Sequence, residues 1–72
     1  MDTNIYLRNG VNIPVANLKK IIRHSASYQD KAIIESDKFD TFEIPNKANL
    51  TFVGDSQVAV SGTEILYVQF NA

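Results

Sequence analysis

Alternating apolar and polar residues predict a chain built mostly from short β-strands. Short runs rich in Ile, Val, Tyr and Phe follow one another, with glycine, proline or asparagine between them. The clearest unit is "IYLRNGVNIPV", where Asn9-Gly10 lies between apolar runs at residues 5–8 and 11–15. This dipeptide favours a two-residue hairpin turn, so the chain is predicted to open with a β-hairpin.

A two-residue turn fixes which residues of this hairpin face each other. It pairs Tyr6 with Ile13 and Leu7 with Asn12 across the two strands. One face then holds Tyr6, Val11, Ile13 and Val15, and the other holds Ile5 and Leu7. Pro14 has no amide hydrogen for a ladder, so the second strand is an edge strand there or ends there.

The second half of the chain shows the same β pattern. "LTFV" (50–53) and "QVAV" (57–60) flank the turn sequence "GDS" and predict a second hairpin, and "TFEI" (41–44) is also β-like. "EILYVQF" (64–70) is apolar on both faces. Alternation puts Ile65 and Tyr67 on one face and Leu66, Val68 and Phe70 on the other. Such a strand is predicted to be central and covered on both sides, or to form a subunit interface.

Residues 14–36 fit two interpretations. As a helix at about 14–24, the apolar residues share one face and the basic residues point outward. As strands, residues 21–26 and 31–36 form a hairpin across "SYQD". The predicted fold class is mainly β, a small curled antiparallel sheet or barrel with at most one short helix. The alternative is an α+β fold that contains this helix, and in both cases residues 1–72 form a single small domain.

Two segments resemble a known architecture. The opening "YLRNGVNI" and the closing "VAVSGTEILYVQF" are similar to the layout of small SH3-like and Sm-like barrels, where a hairpin and a closing strand pair share one sheet. The resemblance implies ring oligomers and RNA binding for the Sm-like branch, and peptide binding for the SH3-like branch. Asn12, Pro14 and Val15 stand where Sm-like proteins typically carry a glycine. No functional residue is carried over from either branch.

Composition limits the class of protein further. The chain has 72 residues and no cysteine, so neither a disulfide nor a thiolate metal site is available. Its apolar runs are too short to cross a bilayer and its N-terminus has no signal-peptide pattern, so we expect a cytoplasmic protein. Residues with AT-rich codons, such as Ile, Asn and Lys, are abundant, which hints at a low-GC bacterium or one of its phages.

The sequence offers little catalytic chemistry. His24 is the only histidine, and no serine lies in a nucleophile-elbow motif. The three glycines are too scattered for a phosphate-binding loop. We therefore expect a protein that is not an enzyme and that uses no cofactor and no metal.

Charge is distributed unevenly along the chain. Residues 1–31 hold five basic and two acidic residues, net +3, while residues 32–72 hold two basic and six acidic residues, net −4, for a total of −1. The basic segment "LKKIIRH" (18–24) supplies candidate binding residues for nucleic-acid phosphates and, with one tyrosine, for a stacked base. These residues are Lys19, Lys20, Arg23 and Tyr28.

The acidic segment "ESDKFDTFE" (35–43) supplies the remaining candidate binding residues, which are Asp37, Asp40 and Glu43. One interpretation is an acidic surface that binds a protein. The other is a solvated loop that Phe39 and Phe42 anchor to the core.

The predicted function is that of a small non-catalytic protein-binding domain that acts by surface contact or self-assembly. A protein partner and a homo-oligomer are expected, and a membrane partner is not. A phage or mobile-element accessory or inhibitor protein would suit the small size and the codon bias. The alternative is an Sm-like RNA- or DNA-binding module that uses the basic 18–24 segment.

Overall fold

The computed structural model describes residues 1–24, 31–45 and 47–71, and most of them lie in strands. In chain order the strands are β1 Asp2–Leu7, β2 Asn12–Val15, β3 Lys20–His24, β4 Lys31–Glu35, β5 Asn49–Val53, β6 Gln57–Ser61 and β7 Ile65–Asn71. Short 3₁₀ segments occupy Ser36–Thr41 and Gly62–Glu64. The predicted mainly β class is confirmed. Within these ranges no helix has the length and apolar character needed to cross a membrane.

The strands form two separate antiparallel sheets. The three-stranded sheet has the order β2-β1-β7, and the four-stranded sheet has the order β4-β3-β5-β6. Among the described residues no strand ladder joins the two sheets, and they do not close into a barrel. The barrel form of the prediction, and the closed barrel that the SH3-like and Sm-like resemblance implied, are therefore wrong. The curled antiparallel form of the prediction agrees with the structure.

Both sheets contribute side chains to a single hydrophobic core. Its buried members are Ile5, Val15, Leu18, Ile21, Phe39, Leu50, Phe52 and Ile65. Neighbouring strands align them in rows, since Ile21 pairs with both Ile34 and Phe52. Burial of each large apolar side chain contributes about 1.5–3 kcal/mol, so this small set accounts for much of the stability of so short a chain.

The opening hairpin forms, but its register differs from the prediction by one residue. The Leu7 amide donates to the Val11 carbonyl at 2.8 Å, which leaves a three-residue loop that ends at Gly10. Gly10 has a φ of +93°, the left-handed conformation that the third residue of such loops adopts. Ile5 therefore pairs with Ile13 instead of Pro14. As a result Ile5 and Ile13 share the core side, and Tyr6 lies on the outer face.

The helix considered at about 14–24 does not form. These residues instead complete β2, turn at Ala16-Asn17 and enter β3 at Lys20. Asn17 adopts a left-handed φ of +53°, and its side chain donates to the Asp55 carboxylate at 2.8 Å. Cross-strand packing of Ile21 outweighs the weak helical periodicity, because an isolated short helix has little stability of its own.

The hairpin predicted at residues 50–53 and 57–60 is confirmed as β5 and β6, with Val53 opposite Gln57. Its turn packs against the Ala16-Asn17 turn so closely that a Cβ atom on Gly54 would lie 2.6 Å from the Ala16 carbonyl oxygen. Glycine is required there by space. The strand predicted at 41–44 is wrong, because that segment ends a 3₁₀ turn and continues without regular structure.

Candidate functional site

Strand β7 lies at the edge of the three-stranded sheet, and within the part of the chain that the structure describes it pairs only with β1. It is the longest strand of the described ranges, with seven residues and no charged side chain. The prediction that this segment is central and covered on both sides is wrong. The other possibility, that it forms an interface, is the one that an edge position supports.

A bulge explains why β7 is apolar on both faces. Tyr6 pairs with Tyr67 and Leu7 pairs with Ile65, so Leu66 is an extra residue on β7. The extra residue reverses the alternation, and Ile65 lies on the core side together with Val68 and Phe70. Leu66 and Tyr67 are left 53% and 48% exposed. The strict alternation expected from the sequence is therefore wrong at this point.

The backbone of β7 presents hydrogen-bonding groups to an open edge. The Leu7 amide donates towards β2, whereas the next amide, that of Arg8, donates to the Glu64 carbonyl on the β7 side. Because of this alternation, the backbone amides and carbonyls of Asn4 and Tyr6 point towards Gln69 and Tyr67. The amides and carbonyls of Val68 and Phe70 then point away from β1. The alternation of an antiparallel ladder therefore leaves the Val68 and Phe70 amides outside the hydrogen bonds between β1 and β7.

The outer face of the same sheet is rich in tyrosine and amide side chains. Asp2 lies on this face as well, opposite Asn71. We call the uncharged residues of the face the amide face, and they are Asn4, Tyr6, Asn12, Pro14, Tyr67, Gln69 and Asn71. Tyr6 and Tyr67 stack with ring centroids 4.3 Å apart and an interplanar angle of 19°. The Tyr6 hydroxyl donates to Oε1 of Gln69 at 3.3 Å. Of this set, Tyr67 and Gln69 lie on the edge strand β7. There they combine a rigid aromatic contact with adaptable hydrogen bonds, as protein-binding surfaces do.

The basic candidate residues do not form one patch. Lys20 lies in a cross-strand row with Glu35, on the outer face of the four-stranded sheet. Arg23 is three residues further along β3, so it projects from the opposite face, in a row with Leu50. Lys19 is exposed just before β3, and Tyr28 lies outside the described residues. Nucleic-acid binding by this segment stays a prediction from the sequence.

The acidic candidate residues lie on the 3₁₀ segment and just after it. Asp37 and Asp40 are three residues apart, so a 3₁₀ turn places them on one exposed side, and Glu43 is exposed beyond it. Phe39 packs in the core and stacks on Phe70 with ring centroids 5.1 Å apart. The interpretation as a solvated loop with phenylalanine anchors agrees with the structure. An acidic protein-binding surface stays a prediction.

One open cleft of about 330 Å³ brings together residues that the sequence keeps apart. Arg23 from the basic segment and Glu43 from the acidic segment both line it, together with Lys38, Phe42 and the β4 residues Ile33 and Ile34. Lys38 is not among the residues predicted from the sequence, because no local pattern places it beside Arg23. The cleft is shallow and its charges have mixed sign, so it defines no particular ligand.

His24 is half-buried on the outer face of the four-stranded sheet, where its Nε2 atom lies 3.2 Å from Oγ1 of Thr51. It lines a shallow depression of about 370 Å³ with Asn49 and Ser61. Nowhere in the described part of the chain do three or more potential metal-ligating side chains of His, Cys, Asp or Glu lie together.

The apolar run of β7 is the sequence signal that predicts an interface at this strand. No sequence pattern predicted the amide face. The two-residue turn predicted from the sequence places Tyr6 on the same face as Ile13, whereas the observed register pairs Ile13 with Ile5 and puts Tyr6 on the opposite face.

Comparisons with known proteins give no information on function. No family model matches the chain, and no significant match was found among curated proteins or among solved structures.

Proposed function

We propose that this protein is a non-catalytic protein-binding domain that accepts an extended segment as an additional strand beside β7. In this mode of recognition, main-chain hydrogen bonds supply much of the affinity and alternate side chains supply selectivity. The amides and carbonyls of Val68 and Phe70 would form the new ladder. Leu66 and Tyr67, exposed beside it, would contact side chains of the incoming segment.

The observation that carries the proposal is the contrast between β7 and the other sheet edges. The β2 edge is four residues long and contains Pro14. The β4 edge begins with Lys31 and ends with Glu35, charged residues of the kind that discourage strand pairing. The β6 edge is five residues long, and none of its apolar side chains is among the large exposed ones.

The biological setting belongs to the proposal as well. A small accessory or inhibitory protein of a phage or mobile element, located in the cytoplasm, would act by occupying a partner in this way. Cell fractionation of the native host, followed by detection of the protein, tests the location.

An array of eight-residue extended peptides tests the proposed function directly. We expect a subset of peptides to bind, and the bound protein to show slower hydrogen exchange at the Val68 and Phe70 amides. Val68→Pro removes an edge-facing amide without removing a bond to β1, so it should abolish binding while the other strands stay protected. Asn12→Lys, on the amide face at the opposite edge, is the matched control and should bind as the wild-type protein does.

Two results would refute the proposal. One is that the wild-type protein, diluted until it is monomeric, binds no peptide more tightly than Val68→Pro does. The other is that the protection caused by bound peptides falls on strands other than β7.

A further inference from the structure

We infer that the segment added at the β7 edge is β7 of a second copy of this chain, paired antiparallel about a twofold axis at Val68. This inference rests on the proposed function, because it names the partner for the same edge. The result is a continuous six-stranded sheet that has β7 of each copy at its centre and β2 of each copy at its two ends.

The geometry of β7 suits pairing with itself. The strand runs from Ile65 to Asn71, and its midpoint is Val68. Val68 is one of the residues whose backbone groups point to the open edge, so a twofold axis there forms reciprocal hydrogen bonds between the two Val68 residues. Any other axis would shorten the overlap of the two strands. All existing pairs of β1 are antiparallel, and the new pair continues that arrangement.

Between residues 67 and 69, where the alternation of β7 is regular, the side chains brought together in this register are compatible on both faces. On the outer face, Tyr67 lies opposite Gln69 of the second copy, where the Gln69 amide already accepts a bond from the Tyr6 hydroxyl. On the core side, the two Val68 side chains meet and extend the apolar layer. Because β7 has no charged residue, self-pairing creates no like-charge contact. The net charge of −1 gives little long-range repulsion between copies.

The opposite edge explains why such a sheet would stop at two copies. After the β7 edges pair, the only edges left on the enlarged sheet are those of β2. The Leu7–Val11 hydrogen bond fixes the alternation along β2, and it points the Pro14 nitrogen outward, where it has no hydrogen to donate. Twofold pairing at one edge with a blocked second edge gives a closed dimer instead of an open fibre.

Sedimentation equilibrium over a wide concentration range tests the inference. We expect a reversible dimer for the wild-type protein. Gln69→Lys places a positive charge beside Tyr67 of the opposing copy and near the lysine that the opposing copy carries at the same position. The dimer dissociation constant should therefore rise at least about tenfold. Added salt screens the repulsion and should restore part of the affinity. Asn12→Lys adds the same charge to the same face at the β2 edge and should dimerise as the wild-type protein does. A wild-type protein that stays monomeric at every concentration would overturn the inference.

Cysteine pairing tests the register, since the chain has no cysteine of its own. In this arrangement Tyr67 and Gln69 of the second copy face each other as a non-hydrogen-bonded pair, with Cα atoms about 4.5 Å apart, which is within disulfide range. A mixture of Tyr67→Cys and Gln69→Cys should therefore form the mixed disulfide faster than either variant forms one with Asn12→Cys. Equal rates would contradict the arrangement.

The two proposals fail in different ways. A monomer that still binds peptides at Val68 and Phe70 would overturn the second copy as partner and leave the proposed function standing. A monomer that binds none of the peptides would overturn both.

Discussion

The two edges of the three-stranded sheet are built in opposite ways. β2 presents four residues with Pro14 among them, while β7 presents seven residues without proline or charge. Both strands pair with β1, and both contribute to the same core. The difference therefore lies in what each edge offers to another chain. The proposed pairing uses β7, which lacks the features that discourage strand addition, whereas Pro14 protects the edge of β2.

The largest expected effect comes from making the two edges alike. Pro14→Val gives β2 an outward amide and a side chain that favours strands, so both edges would then accept a strand. Pairing of β2 with β7 of the next copy has no closing symmetry, and we expect assemblies that grow with time and concentration. Dynamic light scattering and electron microscopy measure this growth.

The control for this prediction is the double variant Pro14→Val with Gln69→Lys. The added charge disfavours strand pairing at the β7 edge, so the assemblies should be replaced by small species. If Pro14→Val alone keeps the size distribution of the wild-type protein, Pro14 does not protect the β2 edge.

The second effect concerns what holds β7 in place from beneath. Phe39 is 4% exposed and stacks on Phe70, a residue of β7. Phe39→Ala leaves a cavity there, and we expect a loss of about 3 kcal/mol or more in the free energy of unfolding. Exchange of the β7 amides should accelerate more than exchange of the β2 amides, because β2 has no partner in that stack.

Urea denaturation with amide hydrogen exchange measures this second effect. Phe39→Leu, a smaller change, keeps the test interpretable if Phe39→Ala fails to fold. Equal acceleration of exchange in β2 and β7 would contradict local support of β7 by Phe39.

The strand content could be predicted from the sequence, but the register of β1 could not. Asn9-Gly10 fits a two-residue turn and also a three-residue loop whose last residue is left-handed. The choice between them decides whether Tyr6 or Ile5 shares a face with Ile13. The Leu66 bulge carries no glycine or proline signal. The bulge shows only in the structure, where Ile65 and Val68, three residues apart, both pack on the core side although regular alternation would put them on opposite faces.

The candidate site was predictable in kind but not in detail. An apolar strand without charge pointed to an interface, and the structure places that strand at an edge. The basic residues were predicted to act together because they are close in sequence. They lie in a strand, however, and Lys20 and Arg23 project from its opposite faces. The cleft that joins Arg23 with Lys38 and Glu43 depends on tertiary contacts that no local pattern encodes.

A smaller effect is expected from the buried hydroxyl of Thr3, which ties β1 to β7. Thr3 is 1% exposed and donates from Oγ1 to the Gln69 carbonyl at 2.7 Å. Thr3→Val keeps the shape and removes this bond, so we expect a loss of about 1 kcal/mol in the free energy of unfolding. Thr41→Val is the matched control, because its exposed hydroxyl donates to the Lys38 carbonyl at 3.2 Å and water can replace that bond.

Urea denaturation of both threonine variants gives the comparison. If Thr3→Val costs no more than Thr41→Val, the hydroxyl does not fasten β7 to β1, and the attachment rests on the backbone ladder and on the Phe39–Phe70 stack.

The smallest effect is expected on the amide face, where Tyr6→Phe keeps the stack on Tyr67 and removes only the exposed hydroxyl bond to Gln69. Because water replaces an exposed hydrogen bond, the free energy of unfolding should change by less than about 0.5 kcal/mol. The dimer constant, measured by sedimentation, should change more than the stability does, since the hydroxyl orients the Gln69 side chain that faces Tyr67 of the second copy. If the dimer constant stays within error of the wild-type value while Gln69→Lys still weakens the dimer, Gln69 acts at the β7 edge through its position alone and the Tyr6 hydroxyl contributes nothing to pairing.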